Sequence, residues 1–305
     1  MELHQLQILR ELGALGSVTA VADALRVTPS AVSQQLATLQ RGVPTPLTRR
    51  VGRTLALTPA GEVLATAGAE AIDAMAAARH ALDDFEGSAT GVVSISGFHS
   101  VGQALFGALV RELSSAANAP SVQLTDEDVA QTDFPALTAR YDLVLAHRME
   151  HSEPWPAQGV RSLTLIREPL DVAVAASHPL AGRASLTPAD VAGERWVTSR
   201  IGYSPDDVLR AVSAVAHRPV DIQHRINDYG AVSAVVAAGG VIGMLPRFTS
   251  RSVDDRDLVR VPLEGVSTHR MIDVLARPET LRRRSVRVVV EALRDVMTRL
   301  SESGS

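Results

Sequence analysis

The sequence contains no cysteine. That excludes disulfides, thiolate nucleophiles, cysteine-ligated zinc, iron–sulfur clusters and thiol-based redox sensing. Lysine is absent too: all 30 basic residues are arginine. A Schiff-base enzyme, a Walker A loop and a kinase-type lysine are therefore excluded. Aromatic residues are scarce at 3%, whereas hydrophobic residues reach 46%, so the cores must be built from Ala, Val, Leu and Ile. No apolar run approaches the roughly 18 to 20 residues that span a bilayer. The start, Met1-Glu2-Leu3-His4, has neither the basic nor the apolar region of a signal peptide. These absences predict a cytoplasmic protein without membrane attachment.

Enzyme signatures are missing as well. There is no HExxH, and the nine histidines are scattered, so no metal is expected. No Gly-x-Ser-x-Gly elbow occurs. Gly239-Gly240-Val241-Ile242-Gly243 follows a helical pattern and precedes a strand, the wrong context for a dinucleotide loop. Asp83-Asp84 and Asp254-Asp255 are adjacent pairs whose side chains diverge, which makes poor acid/base partners. No catalytic residue, metal or cofactor is predicted.

What is present has a clear organisation. At 305 residues, roughly two domains are expected. The net charge of -4 hides an asymmetry. Residues 1–58 carry six arginines against three acids, a net +3, while the other 24 arginines and 31 acids give -7. A basic head on an acidic body suits contact with a polyanion.

In the head, Leu3, Leu6, Leu9 and Leu12 recur on one helical face, with Ile8 nearby, and Gly13 and Gly16 are expected to end the helix. Ser17 reads as the N-cap of a helix over Val18 to Leu25. After a turn at Arg26-Val27, Thr28 caps a third helix with Pro29 at its first position. Ala31, Val32, Leu36 and Leu39 take core spacing, while Ser30, Ser33, Gln34 and Gln35 take the other side. Two short helices, a tight turn and a second helix with small polar residues at its start suit the DNA major groove. Arg49 to Arg53, then Thr54 to Leu57, predict a two-stranded wing with Gly52 at its tip and arginines directed at phosphate or the minor groove. A protein-docking helical domain is the alternative.

The stretch Gly16 to Leu25, then Val27-Thr28-Pro29-Ser30-Ala31-Val32-Ser33-Gln34-Gln35-Leu36 and Leu39, resembles the winged helix-turn-helix of LysR-type transcriptional regulators. So do Arg50, Arg53 and Leu57-Thr58-Pro59-Ala60-Gly61. Val21, Gln40, Pro44 and Thr48 stand where that family usually has Ala, Glu, Gly and Phe. The expected DNA contacts are Ser17, Thr28, Pro29, Ser30, Ser33, Gln34, Gln35, Arg50 and Arg53.

Pro59 to Phe85 is Ala-rich and predicts a helix of about 27 residues, ~40 Å long. That is more than a sixty-residue head can bury. Ile72, Met75, Arg79 and Leu82 follow a 3-4-3 spacing, as a dimer seam would, and Ala65 and Gly68 extend it with small residues. The resemblance likewise implies dimerisation here, with tetramers common in the family.

Glu86 to Gly91 reads as a hinge. Beyond it strands and helices alternate, which predicts an α/β body with a mainly parallel sheet. The strands are Val92 to Ser96, Val122 to Thr125, Tyr141 to Ala146, a second series beginning near Leu163 with Asp171 to Ala176, Trp196 to Thr198, Val220 to Ile226, Val241 to Leu245, Leu258 to Val261 and Met271 to Ala276. The last of these, with a helix over Ser285 to Leu300, is expected to return to the first series, giving two lobes like a periplasmic binding protein. Tyr141 to Leu145, His178-Pro179-Leu180-Ala181 and Val235 to Pro246 resemble the LysR-type effector domain. The expected division is 1–58 for DNA, 59–90 for the linker helix and hinge, and 91–305 for the effector domain. Within the last, lobe I is about 91–160 and 268–305, and lobe II about 161–267.

Ligands of open α/β sheets lie beyond the carboxyl ends of strands. Phe98, His99 and Ser100 occupy the first such end, with Ser100 at a helix start that favours an anion; the family's effector often touches Ser or Thr at this position. His147 and Arg148 follow another strand, as do Ser199, Arg200 and Ile201, and then Asn227 and Asp228. Asp228 equally suits an N-cap. The arginines and Ser100 point to a small organic anion as effector. The expected function is a transcriptional regulator that binds double-stranded promoter DNA, itself and a small molecule, with RNA polymerase as a further candidate partner. A ligand-binding protein without a DNA role is the competing class.

Overall fold

The computed structural model describes residues 1–52, 54–86, 89–115, 118–155, 159–250 and 257–302, with the backbone alone for 82–86. The chain opens with three helices: α1 (Leu3–Leu15), α2 (Val18–Leu25) and α3 (Pro29–Arg41). Ser17 caps α2 by accepting from Ala20 N–H at 3.1 Å, and Thr28 caps α3 by accepting from Ala31 N–H at 3.2 Å. The expectation that Gly13 ends α1 is wrong. Gly16 ends it, in a left-handed conformation (φ 70°) that favours glycine, and Gly13 lies inside the helix. A Cβ at Gly13 would stand 2.8 Å from Leu57 Cδ1, so its small size serves packing.

Ile8, Leu9, Leu12, Val21, Ala22, Val32, Leu36 and Leu39 form the head's core, closed by Leu47, Leu57 and Ala65. The wing pairs β1 (Thr48–Val51) antiparallel with β2 (Thr54–Leu57). The path into it is stapled by Gln40, whose Nε2 donates to the carbonyls of Val43 and Thr45 while its Oε1 accepts from Leu47 N–H at 2.8 Å. The linker helix α4 (Pro59–Glu86) then begins. Gly61 is required there, because a Cβ would lie 2.1 Å from the Leu47 carbonyl oxygen. Ala65 and Gly68 do not extend an outward seam. Ala65 joins the head core, and a Cβ at Gly68 would meet Leu6 Cβ at 3.0 Å, so these small residues admit α1 of the same chain.

The body is a two-lobed α/β unit. Lobe I holds β3 (Val92–Gly97), α5 (His99–Ser114), β4 (Ser121–Asp126), α6 (Phe134–Leu137) and β5 (Leu143–Met149). A long strand β6 (Arg161–Ala175) crosses to lobe II, which holds α7 (Pro188–Val191), β7 (Arg195–Thr198), α8 (Ser204–Val215), β8 (Asp221–Arg225), α9 (Tyr229–Ala237), β9 (Ile242–Pro246) and β10 (Leu258–Val261). β11 (His269–Ala276) returns to lobe I, followed by α10 (Pro278–Leu281) and α11 (Arg284–Glu302). The strand order is β4-β3-β5-β11-β6-β9-β7-β8, with β10 on β6.

The sheet is mixed rather than mainly parallel. β3 runs parallel to β4 and β5, and β7 parallel to β8 and β9, but β6 and β11 run antiparallel to their neighbours. These two strands carry the chain across and back, and so enter each lobe from its far side. β6 runs unbroken through Arg167-Glu168-Pro169, and Glu168 pairs in register with Arg270 of β11. Val286, Val289, Val290, Leu293, Val296 and Met297 of α11 bury one face in the lobe I core with Leu105, Leu109 and Leu113 of α5. Each such burial stabilises by about 1.5–3 kcal/mol.

Candidate functional site

Two surfaces carry the chemistry. On the head, Thr28, Pro29, Ser30, Ser33 and Gln34 are exposed along the start of α3. Thr28 Oγ1 also lies 3.0 Å from Ser30 Oγ, so one hydroxyl pair opens the helix. Arg50 is exposed on β1; Arg53 lies outside the described residues. Two expected contacts are otherwise engaged. Ser17 is half-buried, its hydroxyl spent on the α2 cap. Gln35 turns toward α1: its Oε1 lies 2.8 Å from His4 Nε2 and accepts from Gln5 Nε2 at 3.2 Å. It sits at the edge of the core face, so it ties the recognition helix to the head instead of facing outward.

On α4, Met75 and Arg79 are exposed and Ile72 is half-buried, while the side chain of Leu82 lies outside the described residues, as do those of Asp83, Asp84, Asp254 and Asp255. Asp73, beside Ile72, takes a bidentate ion pair from Arg282 at 2.9 and 3.0 Å, which fastens the linker helix to the effector domain.

The second surface is the cleft between the lobes, lined by Phe98, His99, Ser100, Asp128, His147, Ser199, Tyr203, Ser204, Asn227, Tyr229 and Arg270. Ser100 stands in the first turn of α5, where N–H groups have no carbonyl of their own helix. Its Oγ accepts from Arg270 NH2 at 3.2 Å. Arg270 is fully buried; it donates to Glu168 at 2.9 Å and to Thr249 Oγ1 at 2.7 Å, with its guanidinium 5.2 Å from the Phe98 ring centre. Glu168, equally buried, also accepts from the Phe248 and Thr249 N–H groups. The pair is thus neutral and satisfied, as a buried ion pair must be.

His147 Nδ1 lies 3.0 Å from Ser204 Oγ, at the start of α8. Burial, reinforced by the nearby Arg270 charge, pushes its pKa down to about 3, so the ring is neutral at physiological pH. His99 behaves oppositely. Its ring bridges Asp126 (3.1 Å) and Asp228 (2.6 Å), and the Asp126 hydrogen bond, then that from Asp228, raises its pKa against a desolvation penalty. Asp228 also caps α9 by accepting from Ala231 N–H. Ser199 is buried, and its Oγ has no hydrogen-bond partner among the described residues.

Four expected cleft residues are outside the lining, among them Asp228, which is spent on the His99 ring and the α9 cap. Arg148 is adjacent to His147 on β5 and so projects to the opposite face, where it donates to Asp273 beside Trp155 and Thr164. Ile201 is 73% exposed and outside the lining. Arg200 stands at the rim and pairs with Asp128 at 3.2 Å. Sequence reasoning missed Arg270, Glu168, Asp128, Tyr203, Ser204 and Tyr229. No local signal marks Glu168 or Arg270, because β6 also carries Arg167 and Asp171 and β11 also carries His269 and Asp273.

Two family models match the chain. Residues 3–62 fit the bacterial regulatory helix-turn-helix protein, lysR family, and residues 86–298 fit the LysR substrate binding domain. The uncharacterized HTH-type transcriptional regulator YybE of Bacillus subtilis is 24% identical over 274 residues, covering 90% of this chain and 91% of that protein. The regulator MetR of Salmonella typhimurium is 28% identical over 261 residues, covering 85% and 79%. Among solved structures, a full-length OxyR variant from Pseudomonas aeruginosa aligns with a TM-score of 0.67 at 17% identity, covering 96% and 95%. Full-length CbnR in complex with its target DNA aligns with a TM-score of 0.52 at 19% identity, covering 97% and 100%. At these identities the structures establish the fold, and the family models account for most of the sequence. The chain belongs to the LysR family: it is a DNA-binding transcriptional regulator with an effector-binding domain, and not an enzyme.

Proposed function

We propose that this protein acts in the cytoplasm as a homodimer or homotetramer, and that a small organic anion held between its lobes controls how its heads engage promoter DNA. One observation carries the effector reading. Ser100 in the first turn of α5, Ser204 in the first turn of α8 and the buried Arg270 all line one cavity. Helix N-termini and a guanidinium are the groups that hold a carboxylate or phosphate. The two arginines expected to supply this charge do not: the half-buried Arg148 and the exposed Arg200 are held by Asp273 and Asp128. The anion reading therefore rests on Arg270 and the two helix starts.

Dimerisation is supported by Met75 and Arg79, which stand exposed on the 28-residue α4. Among the described residues no helix is long and apolar enough to cross a membrane. Effector binding biases the lobe and subunit arrangement, and hence the spacing of the two recognition helices, before RNA polymerase is engaged.

The test is selection of duplexes from a random DNA pool by the full chain at two salt concentrations. The expected result is an inverted repeat with half-sites about one helical turn apart, with affinity falling steeply with salt. A folded dimer that enriches no sequence would overturn the DNA-regulator mechanism and favour a ligand-binding role.

A further inference from the structure

We propose that the interlobe cavity is a zwitterion site: Ser100, Ser199 and Arg270 take a carboxylate, Asp128 takes an ammonium group, and the effector is a small amino-carboxylate. This rests on the effector reading above and narrows its ligand class.

The charges around the cavity motivate it. Arg270 is neutralised by Glu168, and Arg200 at the rim by Asp128. His147 is neutral, and His99 is shared between Asp126 and Asp228. Among the described residues no guanidinium in or beside the cavity is left with an excess of charge, and one carboxylate, Asp128, lines it. A bare dianion entering here meets paired cations and a facing carboxylate. A molecule carrying both signs meets a complement at each end.

The carboxylate end is built. Ser199 is 4% exposed and its Oγ has no partner among the described residues, although it lines the cavity. A buried hydroxyl left unsatisfied is costly, and a ligand oxygen would satisfy it. Ser100, with the free N–H groups of the α5 first turn, lies at the same cavity, and its Oγ already accepts from Arg270.

The ammonium end is built as well. Asp128 Oδ2 accepts from Arg200 NH2 at 3.2 Å and from Asn227 Nδ2 at 3.0 Å, while its backbone carbonyl accepts from Tyr203 OH at 3.1 Å. Oδ1 accepts no hydrogen bond among the described residues. The Arg200 side chain is 62% exposed, so an incoming ammonium can displace it into water at little desolvation cost.

The experiment is a thermal-unfolding screen of the full chain against each of the twenty common amino acids. Any that raises the melting temperature is compared with its deaminated acid and its decarboxylated amine by calorimetry. The expected result is at least one saturable amino acid, with both analogues binding about tenfold or more weakly, as loss of a charge-assisted contact predicts. Asp128→Asn, which keeps the Arg200 and Asn227 partners, should bring the amino acid and its deaminated acid to equal affinity. Ser199→Ala should weaken both. If organic acids bind as tightly as amino acids, or the discrimination survives in Asp128→Asn, the zwitterion inference falls and the anion reading stands. If amines alone bind, or neither amino acids nor their deaminated acids bind, both fall.

Discussion

Glu11 in the first helix of the head accepts a hydrogen bond from Arg277, at the end of β11 in the effector domain, at 2.7 Å, and both side chains are buried. Arg10 joins them, pairing with Glu11 at 2.9 Å and with Glu279 at 2.8 Å. Two arginines and two glutamates balance, which is what allows Arg10, Glu11 and Arg277 to be buried, with Glu279 half-buried at their edge. Burial lowers the Arg277 pKa and the Glu11 charge opposes that shift. The same strand carries Arg270 into the cavity. Arg277, directly after β11, stands seven positions beyond Arg270, about 23 Å at 3.3 Å per residue. One rigid element therefore touches both the ligand cavity and the seam that holds the DNA-binding head.

Glu11→Gln should break this seam. Removing one partner of a buried pair costs about 3–5 kcal/mol, unless the head separates and its charges regain water. Denaturant unfolding and small-angle scattering read the two responses. Unfolding at lower denaturant, a larger radius of gyration, or both are expected; wild-type behaviour in both would show that the seam contributes nothing.

On the recognition helix, Ser33→Ala or Gln34→Ala should reduce discrimination between DNA sites by about 1–3 kcal/mol. Gln35→Ala should leave discrimination unchanged and instead cost about 1 kcal/mol of stability, because its partners His4 and Gln5 belong to α1. Competition binding against mismatched sites, run beside unfolding curves, separates these effects.

Arg50→Ala should weaken binding to all sequences alike and reduce the salt slope by about one. A titration of affinity against salt checks it; an unaltered slope would place the wing away from phosphate.

The two cleft histidines should titrate in opposite senses. His99 has a raised pKa, so its contribution is full below the unfolded value and is lost as pH rises through the folded one. His147 has a pKa depressed to about 3, so it costs stability as pH falls below its unfolded value of about 6.5 toward that figure. The larger shift is that of His147, so acidification from pH 7 to 5 should destabilise the protein, and more steeply in His99→Gln. Histidine NMR at pH 5 should find the His147 ring neutral and the His99 ring protonated.

Much of the fold was legible because its signals are local. Ser17 and Thr28 announce helix starts through their own hydroxyls, and Pro29 fits a first helical turn whatever surrounds it. The α11 stripe of Val286, Val289, Leu293, Val296 and Met297 declares its period unaided. The cleft was half legible. Ser100, His147, Ser199 and Asn227 line it, since each follows or ends a strand as ligand residues do. Arg148 was misread because one step along a strand reverses the face. Glu168, Asp128 and Arg270 were invisible because their partners lie far off in sequence.

The sequence by itself determined the kind of protein: a helix-turn-helix head with an intact polar face, a long linker helix and a two-lobed α/β body, none able to use thiol or lysine chemistry. The tertiary structure decided what each charge does. Gln35 holds α1, Arg148 serves Asp273, and Arg277 seats the head. The physical reason is that helical and strand periods are written in neighbouring residues. A buried charge, by contrast, is defined by a counter-charge that folding alone brings within about 3 Å.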